Sequence, residues 1–140
     1  MIILDTTVIS ELTRPAPDPG AVSWLDSLPT EETAITAITA AELRYGVLRL
    51  PDGRRKVELL EAVQALINAD FRDRVEPFDV LAADQYAAVV TGRERAGRPI
   101  SISDAQVAAI CRVLSATLAT RNTSDFTGTG VQLIDPWNPT

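Results

Sequence analysis

The chain begins Met1-Ile2-Ile3-Leu4-Asp5-Thr6-Thr7, and this stretch limits the possible folds more than any other. Ile2, Ile3 and Leu4 form an unbroken apolar run, the pattern of a short strand buried on both faces. Asp5 stops the run abruptly. Thr6 to Leu12 then place small hydroxyl residues before apolar residues at helical spacing, which predicts the opening of a helix. A carboxylate at the carboxyl end of a buried strand stands where open α/β sheets bind their ligands. Asp5 is therefore the expected anchor of an acidic, metal-binding site.

The remainder of the chain repeats this strand-then-helix grammar. Pro15, Pro17 and Pro19 make a rigid connector, and Gly20 to Leu28 carry Val22, Leu25 and Leu28 at helical spacing. Thr33 to Ile38 are uncharged and β-prone, a second buried strand. Thr39-Ala40-Ala41-Glu42 has the form of a capping box, opening a helix with Leu43, Val47 and Leu50 on one face. A further helix is expected from about Arg54 to Asp70, with Val57, Leu60, Val63 and Ile67 as its stripe. Val75 to Phe78 form a weak third strand. Asp79 caps a helix bearing Ala82, Tyr86, Val89 and Val90, stopped at Gly97-Arg98-Pro99. Ser103-Asp104-Ala105-Gln106 is a second capping-box pattern, leading into a helix that turns Val107, Ile110, Cys111 and Leu114 inward. Ala116 to Ala119 and Val131 to Ile134 are the last strands, separated by the polar loop Thr120 to Asp125. Alternating strands and helices predict a mostly parallel sheet covered on both faces, in one domain over residues 1–140.

Composition narrows the chemistry. Hydrophobic residues make up 46% and charged residues 23%, the balance of a globular protein. No apolar run approaches the roughly 18 residues that span a bilayer, and no secretory signal pattern is visible, so a cytoplasmic protein with no membrane association is expected. With no histidine in the chain, the usual serine and cysteine triads and most zinc sites are excluded. The lone Cys111 lies in an apolar helical pattern and reads as core. Carboxylate, hydroxyl and arginine remain. The net charge of −6 does not favour nucleic acid, yet 12 of the 13 basic residues are arginine, which suits bidentate contact to phosphate.

Four carboxylates lie just after a strand or at a helix start: Asp5, Glu42, Asp104 and Asp125. Each has an ordinary explanation by itself. Asp5 could cap its helix, Glu42 could complete a capping box, Asp104 could complement a helix dipole, and Asp125 could make a turn. Their shared placement in an α/β pattern is less ordinary, and its chemical use is to hold a hard divalent cation such as Mg²⁺ or Mn²⁺. Without a cation, clustered carboxylates repel and raise one another's pKa values. Asp18, Asp26, Glu31, Glu58, Glu61, Asp70, Asp73 and Glu94 read as solvated charges, and Asp84, inside a helix, as either surface or site lining.

Four segments together carry a resemblance: Ile3-Leu4-Asp5-Thr6-Thr7-Val8-Ile9-Ser10-Glu11-Leu12; Ile38-Thr39-Ala40-Ala41-Glu42-Leu43-Arg44-Tyr45-Gly46; Pro99-Ile100-Ser101-Ile102-Ser103-Asp104-Ala105-Gln106-Val107-Ala108-Ala109; and Ala119-Thr120-Arg121-Asn122-Thr123-Ser124-Asp125-Phe126. In this order, from Met1 to about Trp137, they resemble the motifs of PIN-domain ribonucleases, in particular the VapC-type and FitB-like toxins of bacterial toxin–antitoxin pairs. The resemblance implies a Rossmann-like three-layer α/β/α sandwich with a mostly parallel sheet of about five strands. It implies a toxin acting as a divalent-metal endoribonuclease, with Asp5 and Asp104 as principal ligands of Mg²⁺ or Mn²⁺. Glu42 and Asp125 would complete the site through water or a second ion. The implied partners are an RNA substrate, a small VapB-like antitoxin that occludes the site, and a second copy of the chain in a homodimer, with dimers sometimes paired. The chain departs from the family at Thr7, where asparagine is usual.

The expected reaction is phosphodiester hydrolysis by water. Thr6, Ser103 and Thr120 are candidates to orient water or phosphate oxygens, and Arg44, Arg98 and Arg121 to meet the RNA backbone. Two phosphotransfer folds also end a strand in aspartate. A dehalogenase-type phosphatase needs a second aspartate where Thr7 stands, and a receiver domain needs a late lysine, whereas Lys56 is early. The alternative that survives is a non-catalytic PIN-fold binding module whose acidic crevice captures an arginine of a partner protein.

Overall fold

A computed structural model describes residues 1–139 of the chain. Strand β1 (Ile2–Leu4) leads into α1 (Thr6–Leu12) and α2 (Pro19–Asp26), and β2 (Thr33–Thr36) into α3 (Ala37–Leu48) and α4 (Arg54–Ala65). Helix α4 runs on as a wider π turn, Leu66–Asp70. Then come β3 (Val75–Glu76), α5 (Val80–Arg95), α6 (Ile102–Leu114), β4 (Thr117–Ala119), the 3₁₀ turn Thr123–Phe126 and β5 (Gln132–Ile134).

The strands lie in the order β3-β2-β1-β4-β5, and every pairing is parallel. β1 is the central strand: Ile3 pairs with Ala34 on one side and with Leu118 on the other. Side chains alternate between faces along each strand, and both faces are covered. Ile3, Ala34 and Leu118 enter a core with Val89 of α5 and Val107, Ala108 and Cys111 of α6. Their neighbours Leu4, Ile35 and Ala119 enter the opposite core with Val8 and Ile9 of α1, Leu43 and Val47 of α3, and Val63 of α4. This is the expected three-layer sandwich, with strands too short and too apolar to stand on an open surface.

Several boundaries differ from the sequence expectation, and two of them move site residues. β2 stops at Thr36 instead of running to Ile38, and Thr36 caps α3 by accepting the Thr39 N–H at 3.1 Å. Thr39 is thus inside the helix, and Glu42 lies in its second turn, outside any capping box. At α6 the cap is Ser101, not Ser103; its hydroxyl accepts the Asp104 N–H at 3.2 Å, so Asp104 is the third helical residue. β3 is two residues long and ends before Phe78. Asp79 caps α5 as expected, accepting from Ala82 N–H at 3.0 Å. Asp18 is also a cap, holding the Ala21 N–H at 2.9 Å ahead of Pro19, and so is not simply a solvated charge.

Leu118 is fully buried at the centre of the sheet. Leu118→Ala is expected to destabilise the protein by about 2–5 kcal/mol, whereas Val80→Ala, at a side chain 79% exposed, should stay within about 0.5 kcal/mol. Urea denaturation of both variants checks the contrast.

Candidate metal centre

In the strand order β3-β2-β1-β4-β5 the chain winds outward from β1 to β3, then returns to place β4 on the other side of β1. The carboxyl ends of β1 and β4 therefore open a crevice where the winding reverses, the place at which α/β sheets take ligands. Asp5 directly follows β1 and Thr120 directly follows β4. The Asp5 N–H donates to Ala119 O at 2.9 Å, so the ladder continues one residue past the strands and fixes the Asp5 backbone.

Asp5 occupies the N-cap position of α1, but its side chain caps nothing. Although the residue is only 7% exposed, the carboxylate looks across to the β4 loop. Its Oδ2 accepts from Thr120 Oγ1 at 2.8 Å and from Thr7 Oγ1 at 3.3 Å. Each of those hydroxyls is itself oriented by a backbone donor. Asn122 N–H donates to Thr120 Oγ1 at 3.1 Å, and Arg121 N–H to Thr7 Oγ1 at 3.2 Å. With a lone pair of each oxygen engaged, the single hydroxyl proton is left to point at Asp5. Among the described residues the second carboxylate oxygen, Oδ1, has no hydrogen-bond partner. One oxygen is held and the other is available.

Glu42 is exposed on α3 and reaches the same end of the sheet. Its Oε1 accepts from Thr6 Oγ1 at 2.9 Å, and the Thr6 hydroxyl lies 3.1 Å from that of buried Thr39. Asp104 is half-buried in the first turn of α6. Its carboxyl is raised above the ordinary value of 3.8, chiefly because burial disfavours the charge; the Ser101 hydroxyl opposes this, and the charges of Asp5, Asp125 and Glu42 add to it. The other three carboxylates predicted from sequence thus all lie within electrostatic range of Asp104. Asp125 is exposed on the 3₁₀ turn after β4, its N–H donating to Asn122 O at 3.0 Å. Asp84 is exposed on α5, and its charge is not among those acting on Asp104. It is a surface residue.

Four carboxylates with no histidine make an all-oxygen donor set, which fits a hard divalent cation. Among the described residues no three acidic, histidine or cysteine side chains close on a single point. An ion held here would have to keep water in its shell, as Mg²⁺ does. Cys111 offers no soft ligand or nucleophile: burial, with a smaller contribution from the Asp5 charge, pushes its thiol up to about 12.

The arginines are distributed unevenly. Arg121 presents its guanidinium 4.8 Å from the Trp137 ring centre, and Arg98 reaches Ser124 O at 3.4 Å, so both flank the site. Arg44 is half-buried on α3. Sequence reasoning missed Arg93, which is 6% exposed and donates to backbone carbonyls beside Asp125. Its signal was present, since 82, 86, 89 and 93 lie on one stripe of α5. Glu11 was also missed. It is buried, accepts the Asp18 N–H at 2.9 Å and pairs with Arg14 at 3.1 Å, a structural anchor for the α1–α2 connector.

Fold and site together define a doubly wound parallel α/β protein with carboxylates gathered at its topological switch. Residues 2–129 match the PIN domain, and the chain belongs to that family. It is 41% identical to Toxin FitB of Neisseria gonorrhoeae over 138 residues, covering 99% of both chains. It is 36% identical over 139 residues to VapC ribonuclease Y4jK of Sinorhizobium fredii, again covering 99% of each. Among solved structures, FitAcB from Neisseria gonorrhoeae superposes with a TM-score of 0.93 at 42% identity, covering 98% of this chain and 99% of that one.

The raised Asp104 carboxyl has a definite sign in the metal-free protein. The folded state binds the proton more tightly than the unfolded chain, so this group's contribution to stability falls as pH rises from below 3.8 through its folded value. Asp104→Asn is therefore expected to raise the melting temperature in EDTA at pH 7 and to flatten that part of the pH profile. Scanning calorimetry from pH 3 to 8 measures both.

Proposed function

We propose that this chain is the toxin of a toxin–antitoxin pair and cleaves RNA internally by divalent-metal-dependent hydrolysis of phosphodiester bonds. The observation that carries the reading is the Asp5 carboxylate, held by Thr120 and Thr7 on one oxygen instead of capping α1. A helix cap needs no such hold. The full-length similarity to proteins named Toxin FitB and VapC ribonuclease supports both halves of the proposal.

Asp5 and Asp104 would hold Mg²⁺ or Mn²⁺ directly, with Glu42 and Asp125 acting through water or a second ion. When bound, the cation supplies Lewis acidity toward the phosphate and a more acidic water for attack. The chain's own contribution is orientation. Thr120 and Thr7 fix the plane of the Asp5 carboxylate, and Thr6 does the same for Glu42. The Ser101 cap sets Asp104 at the start of α6, where the helix dipole favours its negative charge. Arg98 and Arg121, at the rim, meet the RNA backbone. Threonine at position 7 does the orienting work through one hydroxyl that both accepts from Arg121 N–H and donates to Asp5.

The antitoxin is a small protein encoded alongside, which occludes the acidic crevice with an arginine. The chain works in the cytoplasm as a homodimer, with paired dimers as the larger assembly. Exposed Val80 and Leu81 on α5 offer apolar surface for such contacts.

Purified protein with Mn²⁺ or Mg²⁺ is expected to cleave a structured RNA, and EDTA to stop it. Asp5→Asn should lower the rate by more than about 100-fold, because even outer-shell changes at metal sites cost about 10–100-fold. Thr120→Val should fall within that outer-shell range. Gel assays of end-labelled RNA decide: equal cleavage by wild type and Asp5→Asn overturns the site, and no divalent-dependent cleavage by wild type leaves a binding module.

A further inference from the structure

Arg93 is a buried cation that forms no salt bridge with a carboxylate among the described residues. The hydrogen bonds its guanidinium makes among the described residues all go to backbone carbonyls. Nε donates to Arg98 O at 2.6 Å, and Nη1 donates to Asp125 O at 2.8 Å and to Thr127 O at 2.9 Å. Burying a charge is costly unless such hydrogen bonds compensate it, so the choice of acceptors is informative. They belong to two separate loops. One, from Ala96 to Ser101, sets the start of α6 and hence Asp104; it is also tied to Arg93 by the Arg98 N–H to Arg93 O bond of 2.9 Å. The other is the turn that carries Asp125.

Asp125 needs this support more than its partners do. Asp5 and Glu42 have hydroxyls bonded to their carboxylates, whereas no side chain among the described residues is bonded to that of Asp125. What places it is the backbone of its turn. That turn is closed internally by Thr127 Oγ1 to Ser124 O at 3.1 Å and Thr129 Oγ1 to Phe126 O at 2.6 Å. Arg93 and, from outside, Arg98 join it to the rest of the protein. We infer that Arg93 is a positioning residue: by clamping the Asp125 turn to the lead-in of α6, it sets Asp125 relative to Asp104 and so tunes the affinity of the acidic site for a divalent cation. The inference rests on the proposed reading of Asp125 as part of that site. The rigid guanidinium fork reaches both loops at once, which a lysine ammonium on its single point cannot do.

Calorimetric titration with Mn²⁺ alone tests this on wild type, Arg93→Lys, Asp125→Asn and the double variant, with RNA cleavage followed in parallel. Arg93→Lys keeps the charge and is expected to weaken Mn²⁺ binding about 10-fold, the lower end of the outer-shell range. Saturating Mn²⁺ should restore its kcat and leave its KM for RNA unchanged. In the Asp125→Asn background the same change should have no further effect on Mn²⁺ affinity, because the group being placed is gone. Wild-type Mn²⁺ affinity in Arg93→Lys, or losses that multiply in the double variant, overturns the inference; a purely structural arginine would lower the melting temperature and give that multiplying pattern. If Asp125→Asn itself binds Mn²⁺ and cleaves like wild type, the reading of Asp125 fails and the inference with it. Should Arg93→Lys not fold, phenyllactic acid in place of Phe126 weakens the Asp125 carbonyl as an acceptor while leaving Arg93 intact. Several-fold weaker Mn²⁺ binding in that ester protein upholds the clamp, and unchanged binding overturns it.

Discussion

The parallel pairing of β1 with β2 on one side and β4 on the other is the constraint from which the site follows. A three-residue strand contributes few hydrogen bonds by itself. β1 holds its place because both backbone edges are paired and both faces are apolar, with Ile3 and Leu4 buried in opposite cores. A strand so enclosed leaves a polar residue one acceptable position, at its carboxyl end. Asp5 takes that position, and the crossover that brings β4 alongside delivers Thr120 to it. The central packing and the central carboxylate are consequences of one topology.

The electrostatics of the site run against stability. Helix starts and strand ends converge on one end of the sheet, and they carry Asp5, Glu42, Asp104 and Asp125 with them. The Asp104 carboxyl is raised first by its burial and further by these neighbouring charges, with the Ser101 hydroxyl opposing both. Hydroxyls from Thr6, Thr7, Thr120 and Ser101 offset part of the repulsion locally, because each donates toward a carboxylate or ties down the backbone beneath one. They are neutral, so they orient charge without cancelling it.

Much of this was legible in the sequence, and the parts that were not have physical reasons. The apolar run before Asp5, the alternation of strands and helices, and the four carboxylates needed only local pattern. The caps did not yield so easily. Thr36 and Thr39, or Ser101 and Ser103, are both acceptable caps by local chemistry. The choice is made by where β2 stops pairing with β3, and by the extended lead-in to α6, which only the assembled sheet determines. The shift mattered, since it removed the capping explanation for Glu42 and placed Asp104 at the third helical position. Arg93 was missed for a different reason. An arginine on a helix reads as surface, and its burial depends on carbonyls from a turn more than thirty residues away.

Thr7 shows how a departure from a family's usual residue can be read physically. Asparagine offers a donor and an acceptor on separate atoms. A hydroxyl offers both on one atom, and here both are used, toward Asp5 and from Arg121 N–H. The cost is reach. At 3.3 Å the Thr7 bond to Asp5 is longer than the 2.8 Å bond from Thr120, so Thr120 carries most of the orientation and Thr7 steers the β4 loop that presents it. The two hydroxyls lie 3.5 Å apart and share a single carboxylate oxygen. That sharing is what leaves the other oxygen of Asp5 uncommitted at the switch point, as its proposed role of metal ligand requires.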